Sequence, residues 1–421
     1  MPVVPARRTV TAFWTASALN SGATWVMQVA LFVYVLRHAS PSALAAVQLT
    51  GTLPALLWMP FAGAFADRSG VRLLALTSMV VQALSLCGMA LLLKSGLWAP
   101  SLLYALQGAA NAVWGPARQR WLYSVVPPEG RQAANAALGS VSGTMTIVGA
   151  ALGGALAAWS AGGAILAAAG LQLAAVVPLL LVRRPGARSG AGARRASLRS
   201  DVLEGFTVLR GLPLARSVIW IGIAWGFIGG AYNVLLAAYV TYQLHGSSVT
   251  LAVFYVVDGA ATIIGSALAA RLSTPRHLPG YAIAYGVQGA AWAAMFLPGN
   301  ALFGAVLLGG MRAASGVIIA LDSTILLSTV PERLRGRITS LHLTTYGGVS
   351  RLSLAVFGGI LAAVGTRAVG LTTGVASVVV GAAWWFTGGR GAGALYQRAL
   401  ASPDAAEAAP AATGPLGKGT P

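Results

Sequence analysis

Twelve apolar runs, each close to the length that crosses a bilayer, leave this chain few ways to fold. A helix needs about 20 apolar residues to span the hydrocarbon core, where its own hydrogen bonds must satisfy every backbone group. The runs fall at about 11–36, 42–66, 71–93, 99–124, 131–159 and 162–182, then at 217–241, 249–270, 280–297, 301–330, 338–363 and 368–388. The expected class is an all-α polytopic membrane protein. Composition agrees, since 57% of the residues are hydrophobic and 9% charged, too apolar for a soluble domain to hide.

Arginine placement gives an expected orientation. All but two of the 28 basic residues are arginine, the exceptions being Lys94 and Lys418. The termini and every second loop carry Arg7, Arg8, Arg68, Arg72, Arg131, a cluster over 183–216, Arg271, Arg276, Arg333, Arg335, Arg337, Arg390, Arg398 and Lys418. The opposite loops carry only Arg37, Lys94 and Arg367. By the positive-inside rule both termini are expected in the cytoplasm, with the protein in the cell membrane. The formal charge of +19 is then a topology signal, and no nucleic-acid partner is expected. Arg7 and Arg8 lead into a run too long for a cleavable leader, so none is expected. The single Cys87 lies inside an apolar run, which excludes a disulfide framework and a cysteine-based metal site.

The chain repeats itself. Val126-Pro127 followed by Gly130-Arg131 recurs as Val330-Pro331 followed by Gly336-Arg337. Gly153-Gly154 recurs as Gly358-Gly359, and Gly63 as Gly265, all at offsets between 202 and 206. Two pseudo-symmetric six-helix halves are therefore expected over 1–182 and 213–388. The linker 183–212 is basic, and within it Leu198, Val202, Leu203, Phe206 and Leu209 recur at helical spacing, predicting an amphipathic helix on the inner leaflet. The tail 389–421 is Ala/Gly/Pro-rich and expected to be disordered.

Between the second and third runs lies Gly63-Ala-Phe-Ala-Asp67-Arg68-Ser-Gly70-Val-Arg72. So short a polar gap forces an antiparallel hairpin with its charges at one membrane face. This spacing resembles the loop between helices 2 and 3 of the major facilitator superfamily, with Phe65 where leucine is usual and Val71 where a basic residue is usual. The resemblance implies a twelve-helix transporter with alternating access, and a conformational latch made by Gly63, Asp67, Arg68, Gly70 and Arg72. Gly149-Ala-Ala-Leu-Gly153-Gly154 looks like the antiporter motif of the superfamily with Ala150 in place of proline; close helix packing explains the same glycines equally well. Gln107-Gly108 matches the fourth-helix motif, but Tyr104 stands where that motif has arginine, which counts against carrying over its proton chemistry. Pro116-Ala-Arg118, Arg335-Gly-Arg-Ile-Thr-Ser340 and the helix before span seven are similar to the branch of siderophore and macrolide exporters.

What the resemblance implies is export of a small amphipathic compound (a drug, siderophore or secondary metabolite) by proton antiport. The partners are then a small-molecule substrate, protons and the lipid bilayer, and no cofactor is expected. An uptake permease and a non-transporting receptor on the same scaffold are the alternatives. ATP is not the direct fuel, because neither lysine sits in a phosphate-binding loop. An intramembrane enzyme would need clustered acids and histidines, and four scattered histidines with nine acids do not supply them.

Ionisable residues inside spans are functional candidates, because each costs a few kcal/mol at the bilayer centre. They are Arg118, Arg120, Asp258, Arg312, Asp322 and Arg351, with His342 near the start of span eleven. Asp258 and Arg312 lie at similar depths, as an ion pair or a proton switch; Arg351 joins them as a candidate. Arg118 and Asp322 are 204 residues apart, each nine residues before Pro127 or Pro331, and are expected to form a cytoplasmic gate across the halves. The alternative is that Asp322 is satisfied in its own half by Arg337 or Arg351. The superfamily lines its cavity with spans one, four, seven and ten. That implies a substrate cavity from Asn20, Thr24 and Gln28, from Gln107, Asn111 and Trp114, and from Trp225, Tyr232 and Tyr239.

Overall fold

The computed structural model describes residues 7–68, 70–126, 131–182, 209, 211–297 and 299–401, without the side chains of 55–68 and a few others. The first half consists of α1 (Arg7–His38), α2 (Pro41–Arg68), α3 (Val71–Leu92), α4 (Trp98–Val125), α5 (Arg131–Trp159) and α6 (Ala161–Ala174, continued by Val176–Leu180). The second consists of α7 (Pro213–Gly229, continued by Tyr232–Ala238), α8 (Ser248–Ala269), α9 (His277–Met295) and α10 (Ala301–Thr329). They are followed by the run Glu332–Trp384. That run of 53 residues would extend about 80 Å if straight, far more than a bilayer. It changes direction at Gly365, whose φ of 81° glycine adopts without strain. We label its limbs α11 (332–364) and α12 (366–384). Gly358 on α11 abuts Ala45, and Gly370 on α12 abuts Phe296, so both limbs meet Gly365 at the face away from the termini.

Eight of the described helical stretches are apolar and long enough to cross a membrane, and one of them, Leu341–Gly389, carries both α11 and α12. The other three helices, α2, α4 and α9, are 28, 28 and 19 residues long and pack into the same bundle. In α4 the polar residues Gln107, Asn111, Arg118 and Arg120 lower the hydropathy; in α9 tyrosines, glycines and Gln288 do so.

Packing explains how the halves meet. On the face away from the termini a single buried core joins both halves, taking Val26, Phe32 and Leu44 from one and Leu235, Phe254 and Met295 from the other. Toward the termini face the core divides. Phe13, Trp114, Trp121 and Leu138 form one cluster, Val218, Tyr281, Ile318 and Trp384 another, and they share no residue. The molecule is a V, closed on one face and open on the face that carries the termini. Closure rests on close backbone approach: α5 packs on α8, where Gly154 lies against Ala252 and Ser248, and α11 packs on α2. The Tyr242 hydroxyl adds a tie, donating to the carbonyls of Leu36 at 2.9 Å and Ala39 at 3.1 Å.

Two expectations change or fall outside. Residues 393–401 of the tail, expected to be disordered, form α13 (Gly393–Ala401). Tyr396 anchors it, buried in the second-half core with its hydroxyl 2.8 Å from His277 Nδ1. Average composition hides such an anchor, because one buried aromatic side chain is enough to dock a short helix. The rest of the tail and the amphipathic helix of the linker lie outside the described residues, apart from Leu209, which packs into the second-half core.

Candidate functional site

α7 is interrupted at Gly230–Ala231, near the middle of the apolar stretch Pro213–Gln243. Gly230 allows α7 to lie directly on Ser350 and Ser353 of α11, where any side chain would collide. Irregular backbone at this depth is tolerated where it lines a cavity, and here it does. A cavity of about 310 Å³ sits beside the break, between α7, α9, α10, α11 and α12. Trp225, Tyr232, Trp292 and Tyr346 give it aromatic walls, and Trp225 stacks on Tyr346 with centroids 5.4 Å apart. Its polar side is a hydrogen-bonded chain. Ser315 donates to Gln288 Oε1 at 2.6 Å, Gln288 donates to Ser377 at 3.3 Å, and Trp292 donates to Thr373 at 3.0 Å.

Arg312 and Arg351 bring cations to the same cavity. Arg312 pairs with Asp258, whose other carboxylate oxygen accepts from the Tyr232 hydroxyl at 2.7 Å. The guanidinium also lies 5.0 Å from the Tyr232 ring centre. Arg351 donates to the Gly347 carbonyl at 3.0 Å, while its Nε is buried without a partner among the described residues.

A second cavity of about 270 Å³ lies nearer the termini and shares Trp225, Ile319 and Tyr346 with the first. Asp322 and His342 line it. His342 Nε2 is 2.8 Å from Asp322 Oδ2, and the Tyr281 hydroxyl donates to Oδ1 at 2.6 Å. Asp322 is thus held within its own half by His342 and Tyr281, while Arg351 turns to the Gly347 carbonyl; the side chain of Arg337 lies outside the described residues. Arg118 is loosely placed: it is 3.4 Å from the Ser17 hydroxyl and 5.8 Å from the Trp114 ring centre, with Nε buried and unpartnered among the described residues. The two are not paired in this open form.

Of the residues expected in the cavity, Trp225 and Tyr232 line it. Tyr239 does not; it is buried between Phe254, Phe296 and Gly304, as packing for α8 to α10. In the first half Asn20 turns inward and accepts from Gln172 at 2.9 Å, and the Thr24 hydroxyl returns to the Asn20 carbonyl. Gln28 is half-buried, Gln107 and Trp114 are buried in their own half, and Asn111 is exposed. Gly70 is exposed, and Arg72 donates to the Leu180 carbonyl at 2.9 Å, capping the end of α6; the side chains of Asp67 and Arg68 lie outside the described residues, as does the environment of Gly63. Sequence reading missed Tyr281, Tyr285, Gln288 and Trp292. Their steps of four, three and four put them on one face of α9, the same signal that singled out α4.

Twelve helices in two halves, sharing a core on one face and separate on the other, carry a cavity lined by the second half. The chain belongs to the Major Facilitator Superfamily, which it matches over residues 13–355. Solved transporters share the fold. The nucleoside transporter NupG superposes with a TM-score of 0.70 at 15% identity, over 90% of this chain and 98% of that one. The D-xylose-proton symporter gives 0.70 at 11%, over 90% and 97%. A bacterial homolog of the human lysosomal transporter Spinster, inward-facing and occupied, gives 0.69 at 16%, over 93% and 96%. No curated protein sequence matches this chain.

Proposed function

We propose that this transporter exports a small amphipathic compound, a drug, siderophore or secondary metabolite, in exchange for protons. The observation that carries the reading is the 310 Å³ cavity, whose aromatic walls face a strip of amides, hydroxyls and guanidinium groups. Its volume suits a small molecule, and its two-sided lining suits one with an apolar body and a polar end. Arginine-rich loops put the termini, and with them the open face, in the cytoplasm. A compound would then enter from the cytoplasm and leave when the V inverts. Asp67, Arg68 and Arg72, with Gly63 and Gly70, act as the latch of that inversion, and Arg118 meets Asp322 to seal the cytoplasmic side. Asp258 serves as the fixed counter-ion of Arg312, held by that guanidinium and by the Tyr232 hydroxyl.

The test is accumulation of a panel of labelled amphipathic compounds in cells with and without the protein. Lower accumulation, abolished by a protonophore, is expected. Higher accumulation would establish uptake, and an expression phenotype without any change in accumulation would establish a receptor.

A further inference from the structure

Proton exchange needs a group whose charge changes near neutral pH, reached from one face at a time. Among side chains histidine has this property unperturbed. Of the four histidines, His342 touches a carboxylate inside the bundle. The contact uses Nε2, which fixes the neutral tautomer as Nε2–H donating to Asp322 Oδ2. Nδ1 then carries the free lone pair, and it has no partner among the described residues. It lies against α7, where Gly222 leaves the imidazole room that any side chain would take. The charged and titratable groups around the dyad are Tyr281 and Tyr285 from α9, Tyr346 from α11, and higher up Arg312 and Arg351. α7 contributes the Gly222 backbone and the Trp225 indole.

We infer that Asp322–His342 is the proton-binding site of this transporter, and that the proton decides whether Asp322 stays with His342 or passes to Arg118. The inference rests on the antiport reading above. One proton adds to Nδ1, the dyad charge goes from −1 to 0, and the neutral hydrogen bond becomes an imidazolium–carboxylate pair. Charge-assisted pairs are roughly twice as strong as neutral ones, so a protonated His342 holds Asp322 in its own half and keeps the cytoplasmic face open. Loss of the proton to the cytoplasm weakens that hold. Asp322 is then free to cross to Arg118, whose guanidinium among the described residues has a hydroxyl at 3.4 Å and lies over the Trp114 ring, 5.8 Å from its centre, in the open form. Proton-loaded protein turns inward and deprotonated protein turns outward, which is the order an exporter driven by protons requires. The dyad's cavity shares Trp225 and Tyr346 with the substrate cavity, so each site touches walls of the other.

Spin labels at Ser124→Cys on α4 and Thr324→Cys on α10, in the Cys87→Ser full-length protein in lipid nanodiscs, report the opening as a distance. Between about pH 5 and 8 the long-distance population should grow as pH falls. His342→Gln and Asp322→Asn should each abolish that response. Histidine-selective nitrogen NMR, assigned by the signal lost in His342→Gln, should show His342 changing protonation state across the same range. A pH response retained in both dyad variants, or a His342 that never titrates, overturns the site. Two distance populations that ignore pH overturn the site but leave the transporter reading standing. A single distance under every condition removes alternating access itself.

Discussion

Gly154 on α5 and Gly358 on α11 are 204 residues apart and close the same face of the molecule from opposite sides. Gly154 lies on Ala252 of α8 and Gly358 on Ala45 of α2, so a Cβ at either position would collide with the alanine opposite. Gly149 and Gly153 instead seat α5 on α1, against Gly22, Trp25 and Val26. The antiporter-like stretch therefore has two structural jobs: with two glycines four residues apart it packs a half internally, and at its last glycine it joins the halves.

Gly154→Val or Gly358→Val should force the closed face apart and shift the protein toward the outward-open form. Labelling of cysteines placed near the outer ends of α2 and α8 would rise in either variant. Because both variants act on one two-state equilibrium, the double variant should add little once the shift is complete. Unchanged labelling would mean that the closure is held elsewhere.

Asp258→Asn alone leaves Arg312 as a buried cation without its carboxylate, a loss of about 3–5 kcal/mol in comparable buried pairs. The double variant Asp258→Asn with Arg312→Gln should recover most of the lost thermal stability and membrane level. If the pair is only a counter-ion arrangement, proton-driven transport should return with the fold. Recovery of stability without transport would give Asp258 a part in coupling.

Tyr104 occupies the position where the fourth-helix motif has arginine, and its hydroxyl donates to Gln48 Oε1 at 2.7 Å, tying α4 to α2. Its ring also lies on Gly51. Tyr104→Phe should cost about 1–3 kcal/mol by stranding a buried amide oxygen. Adding Gln48→Leu should restore much of that in a melting assay. No recovery would mean that the ring, not the hydroxyl, does the holding.

Arg118→Cys with Asp322→Cys, in the Cys87→Ser background, should not crosslink in the form described here, where the cores of the two halves are separate on that face. Crosslinking should appear when Gly154→Val is added, because opening one face closes the other. Equal crosslinking with and without Gly154→Val would dismiss the gate.

How much of this was legible in the sequence follows from what each signal depends on. The helices and their two-fold repeat were readable because membrane crossing is a constraint each segment must meet alone. Asp258 and Arg312 could be placed at a common depth for the same reason. Asn20 and Trp114 show the limit: polarity and periodicity put them on a helix face, but which neighbour that face meets depends on tilts and crossings. Gln172, 152 residues away, decides the fate of Asn20. His342 was visible as an ionisable residue, yet its pairing with Asp322 depends on Gly222 of α7 letting the imidazole in, and no local pattern encodes that.

The shared core on the closed face also bears on how the protein is made. The first six helices leave the ribosome before the second six exist, so Val26, Phe32 and Leu44 must wait with no partner half. In water such a surface would invite aggregation. In a bilayer it meets acyl chains as apolar as the missing helices, so waiting carries little penalty. The ties that need both halves, Tyr242 to Leu36 and Gly154 to Ala252, then form last. The contacts this transporter must break in every cycle are thus the final ones laid down during its biogenesis.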